Sequence, residues 1–383
     1  MKLHHIIIMI LFAPILATAQ VQPYTYKGSV PVAADFLNIP TDVRGMGMGN
    51  LGVATGGDDA SIFTNPGKIG FTDEYRYTEL TTIGISYSPV ATALDKNIKM
   101  LTLTGYQWLD EGQYLGLSLQ YFSLGDVKFY DDQANETNFV IPNEYAFGLT
   151  YSKKFNENIG LGMTAKGILS NLTGGQNVGA EKTNSGLAVA VDVGLFGQVP
   201  NNDNKISYGL ALTNLGSKIS YMEGGTKNYL PMNLKFGGSY KYAFGEENYL
   251  LTGLEFSKPL IPSAPEYDSQ GNIAKGENPI KSVPAAIFSS FGDSPDGFAG
   301  ELKEFGSSFG IEAGFNNQFF VRGGYFAQAK QAGLASYITF GLGFHKDFDT
   351  KRLRINLAYA MPSTQNFALK GMFKIGLAFN MFE

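Results

Sequence analysis

One periodicity governs what this chain can fold into. Beyond residue 75, segments of about ten residues, the length of a tilted strand crossing a bilayer core, alternate large apolar side chains with small or polar ones. Phe373, Ile375, Leu377, Phe379 and Met381 fall on one parity, and Lys374, Gly376, Ala378 and Asn380 on the other. Leu353, Ile355, Leu357 and Tyr359 alternate with Arg354, Asn356, Ala358 and Ala360. Tyr145, Phe147, Leu149 and Tyr151 alternate with Ala146, Gly148, Thr150 and Ser152, and Leu187 to Leu195 repeats the pattern with Ala188, Ala190, Asp192 and Gly194 between. A period of two belongs to an extended strand with one apolar face. Past the first twenty residues no apolar run approaches the roughly 18 residues of a spanning helix. A membrane protein built from this sequence therefore crosses with strands.

Fourteen such segments can be read, near 76–88, 98–108, 113–124, 143–155, 158–170, 186–199, 204–214, 230–244, 248–258, 305–316, 318–328, 336–348, 351–361 and 368–382. The gaps between them alternate in length. Short ones lie at 109–112, 156–157, 200–203, 245–247, 317 and 349–350; long ones at 125–142, 171–185, 215–229 and 259–304. Short turns on one side and long loops on the other, with an even strand number, are the pattern of a transmembrane barrel. Closure also solves the backbone problem, since lipid offers no hydrogen bonds to an open edge. The expected fold is thus all-β, a 14-stranded antiparallel transmembrane β-barrel with long extracellular loops and both ends on the periplasmic side. A large soluble sandwich or propeller is the alternative, but only 16% of the residues are charged and those sit mainly in turns and loops. Tyr87, Tyr121, Phe122, Tyr151, Phe155, Tyr240, Tyr242, Phe244, Tyr325 and Phe326, near strand ends, suit aromatic girdles.

Ahead of the barrel the chain divides in two. Residues 1–19 carry Lys2, an apolar stretch from Ile6 to Leu16 and the small-x-small Ala17-Thr18-Ala19, the pattern of a cleaved signal peptide, so the mature chain is expected to begin at Gln20. Residues 20–75 do not read as membrane strands. Their Gly-rich run, Arg44 to Ala54, suits a plug folded back into the lumen of a barrel at 76–383, because Gly allows close backbone packing. That run lacks the strand–loop–helix context and Lys-Ser/Thr of a phosphate-binding loop. Lys166, Asp192, Lys235, Glu255, Glu312, Arg322, Arg354 and Lys374 take the inward parity. They either line a solute path or pair with one another and with a plug. In the long loop, 283–291 and 298–304 look like short helices. Their apolar residues Ile287, Phe288, Phe291 and Phe298 either cover the barrel mouth or dock onto a partner.

No catalytic constellation is legible. There is no Cys, which excludes disulfides, thiol chemistry and a lipoprotein anchor. His345 is the one histidine beyond the leader; it stands near a strand end and reads as a surface or interface residue, with no nucleophile motif beside it. No metal-ligand spacing occurs and no cofactor is expected. A net charge of −5 without a basic face leaves no footprint for nucleic acid.

Several motifs carry a resemblance. Phe36-Leu37-x-Ile39, Asp42-x-Arg44, Gly47-Met48-Gly49, Gly52-Val53-Ala54-Thr55 and Asn65-Pro66-x-Lys68 resemble the start of the PorV family, outer-membrane barrels of the type IX secretion system of Bacteroidetes. Tyr121 to Gly125, Pro142-Asn143-Glu144 and Ser170-x-Leu172-Thr173-Gly174-Gly175 extend the likeness over most of the mature chain. The Asn-Pro element and the Gly-Met-Gly run are shared with FadL-like barrels. The family usually carries Trp before Asn-Pro and Ala after it; Thr64 and Gly67 stand there instead. The resemblance implies a FadL-like barrel in the outer-membrane lipid that works with the giant translocon barrel. It implies binding of cargo proteins through their C-terminal signal domain and delivery to a surface attachment complex. On that reading Asp42, Arg44, Gly47, Gly49, Asn65 and Pro66 form the plug motif, and Ile287, Phe288, Phe291 and Phe298 are candidate cargo contacts. A FadL-like channel for hydrophobic small molecules and a purely structural barrel are the other readings.

Overall fold

The computed structural model describes residues 31–71, 79–91, 95–130, 136–176, 182–245, 247–328, 336–362 and 372–382. The expected signal peptide lies outside them. Within the lumenal stretch 31–71 stand two short helices, α1 (Val43–Met46) and α2 (Ser61–Thr64). The strands follow as β1 (Glu79–Pro89), β2 (Ile98–Trp108), β3 (Gln113–Leu124), β4 (Val127–Tyr130), β5 (Glu136–Val140), β6 (Asn143–Lys154), β7 (Ile159–Asn171), β8 (Gly186–Asn201), β9 (Asn204–Gly216), β10 (Asn233–Ala243) and β11 (Tyr249–Pro259). The long loop holds β12 (Glu266–Tyr267), β13 (Ile273–Lys275), α3 (Val283–Ser289) and α4 (Phe298–Glu304). The chain ends with β14 (Gly306–Phe315), β15 (Phe319–Ala327), β16 (Tyr337–Phe348), β17 (Lys351–Pro362) and β18 (Met372–Phe382).

Fourteen of these strands close into one antiparallel barrel in which each pairs with its neighbour in the chain, once the loop hairpins β4–β5 and β12–β13 are set aside. Closure is made by β1 on β18, from Thr82 opposite Asn380 to Tyr87 opposite Ile375. The fourteen segments read from the period of two correspond to these strands within a few residues. The two extracellular hairpins escaped notice, and the two helices of the long loop fall at the places that the apolar runs suggested. The tight turns turn left-handed where the sequence offers residues that tolerate it: Gly112, Asn202, Gly245, Asn316, Asn317 and Asp349 all have positive φ.

Parity decides which way each side chain points. Leu117, Phe147, Leu187, Val189 and Phe340 face outward and are exposed, while Thr150, Asp192, Glu312, Thr339 and Lys374 are buried inside. The girdle expectation is corrected at two positions. Phe122 and Phe326 are buried in the lumen, because Tyr121-Phe122 and Tyr325-Phe326 are consecutive and only one of each pair can face lipid. His345 also departs from the expectation of a surface position. It shares the inward parity of Thr339, Gly341 and Gly343, and its ring lies 4.3 Å from that of buried Phe320.

Candidate functional site: the filled lumen and the long extracellular loop

Both barrel termini lie on the short-turn side, so β9 climbs toward the long loops and Tyr229 sits at the extracellular mouth. There the described part of the lumenal segment begins. Ala33 donates its N–H to the Tyr229 carbonyl at 2.7 Å, and Ala34 to the Tyr221 hydroxyl at 3.0 Å. Phe36 stacks on Phe122 at 6.4 Å. The segment then descends through the barrel. At its lower end Phe71 meets Phe196 near the short turns, with ring centroids 5.0 Å apart, and the chain leaves to enter β1.

Two glycine contacts let this backbone lie against the wall. Gly49 has φ +71°, and a Cβ there would stand 2.7 Å from the carbonyl oxygen of Phe309 and from the backbone of Tyr325. Facing it, a Cβ on Gly310 or Gly324 would strike Met48. A Cβ on Gly47 would likewise stand 3.0 Å from the Cα of Gly341. Lower down, Asn65, Pro66 and Gly67 nest among the wall glycines Gly160, Gly162, Gly194 and Gly209, where added Cβ atoms would collide with the segment. A methyl group on Gly67 itself would run into the carbonyl of Gly194. Asn65 fixes the turn with its amide, donating to the carbonyls of Val53 at 2.8 Å and of Leu195 at 2.9 Å and accepting from Gly67 N–H at 3.0 Å.

The inward charges meet this segment or each other. Glu312 binds Arg44 of the segment, Arg322 of the wall and the Tyr249 hydroxyl. One oxygen of Glu255 accepts the N–H groups of Gly52 and Val53, each at 2.8 Å. Lys374 donates to the Pro40 carbonyl at 2.5 Å. Lys166 and Asp192 pair within the wall at 2.7 Å and hold the bulge at Asn214, whose N–H goes to Asp192 at 2.7 Å. Of the alternatives left open by the sequence, pairing with each other and with the lumenal segment describes these side chains. Sequence reasoning passed over Asp58, which is buried between Arg44 and Lys68, and quoted Lys68 only within the Asn-Pro motif; no spacing along the chain joins the three charges.

Above the barrel, the long loop is clasped to β11. Lys258, fully buried, pairs with Glu301 at 3.0 Å and with Glu304, and Ser263 also donates to Glu304 at 2.5 Å. Burial nevertheless pushes the Glu304 carboxyl up from its ordinary range, more than Lys258 and Ser263 pull it down. The four candidate contact residues do not act alike. Ile287 packs, half buried, against the cluster of Tyr229, Met232, Leu260 and Ala286. Phe288, Phe291 and Phe298 stand in solvent, 81%, 51% and 79% exposed, and Ile280 and Leu302 of the same loop are exposed too. Between loop, wall and segment lies a vestibule of about 510 Å³. Among the described residues no group of three His, Cys, Asp or Glu could hold a metal ion.

A closed barrel with an apolar outer belt, a packed lumen and a large structured outer loop defines the class: an integral outer-membrane β-barrel. Solved structures agree on the fold. The toluene transporter TodX of Pseudomonas putida superposes with a TM-score of 0.51 at 12% identity, covering 88% of this chain and 96% of that one. The CymD monoaromatic hydrocarbon channel gives 0.50 at 12% identity, covering 94% and 99%. No curated protein matches by sequence. The family model for the type IX secretion system protein PorV matches residues 23–266, well over half of the chain, and the chain belongs to that family. Family and fold are thus those of a secretion component and of transport channels.

Proposed function

We propose that this type IX secretion component binds cargo proteins through their C-terminal signal domain at its extracellular face, working with the giant translocon barrel and handing cargo to a surface attachment complex. The work is binding and release, and no bond is made or broken. Membership of the family carries the reading. The exposed aromatic residues Phe288, Phe291 and Phe298 support it, because solvent-facing phenylalanines on a structured loop favour a partner surface. Residues 1–19 serve as the signal peptide on this reading, and residues 20–75 as a plug anchored through Asp42, Arg44, Gly47, Gly49, Asn65 and Pro66. The alternative, a channel for hydrophobic small molecules, draws on the fold shared with TodX and CymD and is opposed by the ionic and glycine-packed fastening of the segment.

The test is gentle-detergent affinity purification of the tagged protein from its native outer membrane, followed by mass spectrometry. Co-recovery of a giant barrel and of proteins sharing one C-terminal domain is expected. A partner-free monomer carrying bound hydrocarbon or lipid would overturn the shuttle reading in favour of the channel.

A further inference from the structure

Between β8 and β9 the barrel wall is interrupted near its extracellular end. Their pairing reaches Ala190 opposite Gly216. Ser217 adds one step, giving its N–H to the Val189 carbonyl at 3.0 Å and taking the Val189 N–H on its hydroxyl at 3.2 Å. Continued by two residues, that register would set Ile219 opposite Leu187. Ile219 instead exchanges both backbone hydrogen bonds with Asn228, at 2.9 and 2.8 Å, and its side chain is buried. The two chain segments meet again only where Asn184 donates to the Tyr221 carbonyl at 3.0 Å. Backbone groups of an antiparallel strand turn to alternate neighbours. Leu187, two residues from Val189, therefore points its N–H and C=O into the gap, where no described residue bonds them. A groove of about 520 Å³ opens on the outer face beside this gap, with Phe147, Gly167, Leu169, Leu187, Val189 and Ser217 in its lining. A Cβ on Gly167 would meet nothing within 4 Å, which leaves a notch there. Phe147 stacks on Tyr145 at 6.2 Å, and Tyr145 lies 5.0 Å from the girdle residue Tyr121. The groove thus belongs to the lipid-facing belt beside the aromatic girdle, where acyl chains meet their polar linkages. Hydrocarbon fits its walls but leaves the Leu187 amide unmatched. That amide offers one donor and one acceptor. An ester linkage can only accept, whereas an amide linkage both accepts and donates.

We propose that this groove holds an outer-leaflet lipid with an amide-linked acyl chain. The chain lies against Phe147, Gly167, Leu169 and Val189, and the amide pairs with the N–H and C=O of Leu187 as a neighbouring strand would. The site is independent of the shuttle reading, since a barrel that recovers no cargo could still hold the lipid.

Two lipids with one head group test it: palmitoyl sphingomyelin, whose acyl chain is amide-linked, and dipalmitoyl phosphatidylcholine, whose chains are ester-linked. Each is titrated into the full-length protein in detergent, and the lipid-bound fraction is read by native mass spectrometry. One additional hydrogen bond gives the amide-linked lipid an advantage of about threefold to tenfold in affinity. Gly167→Phe fills the notch and is expected to lower retention of both lipids. Should that variant not fold, Leu187→Pro serves: it deletes the N–H that faces the gap without breaking a ladder bond, and it lowers retention of both lipids while the amide-linked one stays preferred. Equal retention of the two lipids, retention of neither, or retention undiminished by these substitutions overturns the proposal.

Discussion

Arg44 and Glu312, 268 positions apart in the chain, form a two-point ion pair: Nε donates to Oε2 at 3.0 Å and Nη2 to Oε1 at 2.6 Å. The same carboxylate takes Arg322 Nε at 2.5 Å and the Tyr249 hydroxyl at 2.8 Å. Both Glu312 and Arg322 are buried. One wall carboxylate therefore neutralises a guanidinium from the wall and another from the lumenal segment, and it does so where water cannot take its place. Bidentate geometry makes the arrangement specific for Arg at position 44.

Removing the shared partner is predicted to cost more than removing either arm. Glu312→Ala takes the shared carboxylate from two buried guanidiniums and should destabilise the protein by about 3–5 kcal/mol. Arg44→Ala leaves Glu312 still paired with Arg322 and Tyr249, so its cost should be smaller. Thermal unfolding of the detergent-solubilised variants measures the order; a larger loss in Arg44→Ala contradicts this account.

How far the sequence carried this description depended on the kind of residue. Strand parity was legible because lipid on one face imposes a strict choice every second residue, as in Phe373 to Met381. It failed where aromatic residues were judged by position along the strand alone, at Phe122, Phe326 and His345. The inward charges could be found, but not their partners, because Arg44–Glu312 and Lys374–Pro40 join distant parts of the chain and leave no local spacing.

Wall glycines should be intolerant only where the segment presses on them. A Cβ on Gly194 would lie 2.7 Å from Pro66 and closer still to Asn65, whereas one on Gly167 would meet nothing within 4 Å. Gly194→Ala is predicted to destabilise by about 1–3 kcal/mol through overpacking. Gly167→Ala should be neutral or slightly stabilising, since the unfolded chain loses freedom and the methyl group faces open space. The heat needed to abolish the compact form in gel mobility assays separates the two, and equal behaviour would deny that the segment packs as described.

On the long loop, exposure and burial predict opposite phenotypes. Phe288→Ser and Phe298→Ser should change stability by no more than about 0.5 kcal/mol, yet reduce the yield of partners in the native pull-down. Ile287→Ala removes a half-buried side chain from the cluster under the loop and should loosen it, by about 1 kcal/mol or more. Wild-type partner recovery by both phenylalanine variants would remove this face from consideration.

The clasp at Glu304 should be pH-dependent in a defined direction. Its carboxyl is raised by burial, so the folded loop binds a proton more readily than the open loop does. Stability of the closed loop from this group is therefore full below the ordinary carboxylate range and declines as pH rises through the raised value. Hydrogen exchange across α4, corrected for the intrinsic rate, should report easier opening at alkaline than at mildly acidic pH. Glu304→Gln should flatten that dependence, and an opening free energy that rises with pH would reverse the sign argued here.

Conduction tests the fastened lumen itself. The segment is held by Glu312, Glu255 and Lys374 at different points on the wall, and its glycines leave no room between backbone and strand. In planar bilayers the wild-type barrel is expected to be electrically silent. Glu312→Ala combined with Glu255→Ala removes two of the three anchors, taking from Arg44 its two-point partner and from the amides of Gly52 and Val53 their shared acceptor. That variant should show intermittent openings, because the segment can then leave the wall without breaking the two-point Arg44–Glu312 pair. Steady conductance in the wild type would mean that a path persists beside the segment, and would return the channel reading to the front.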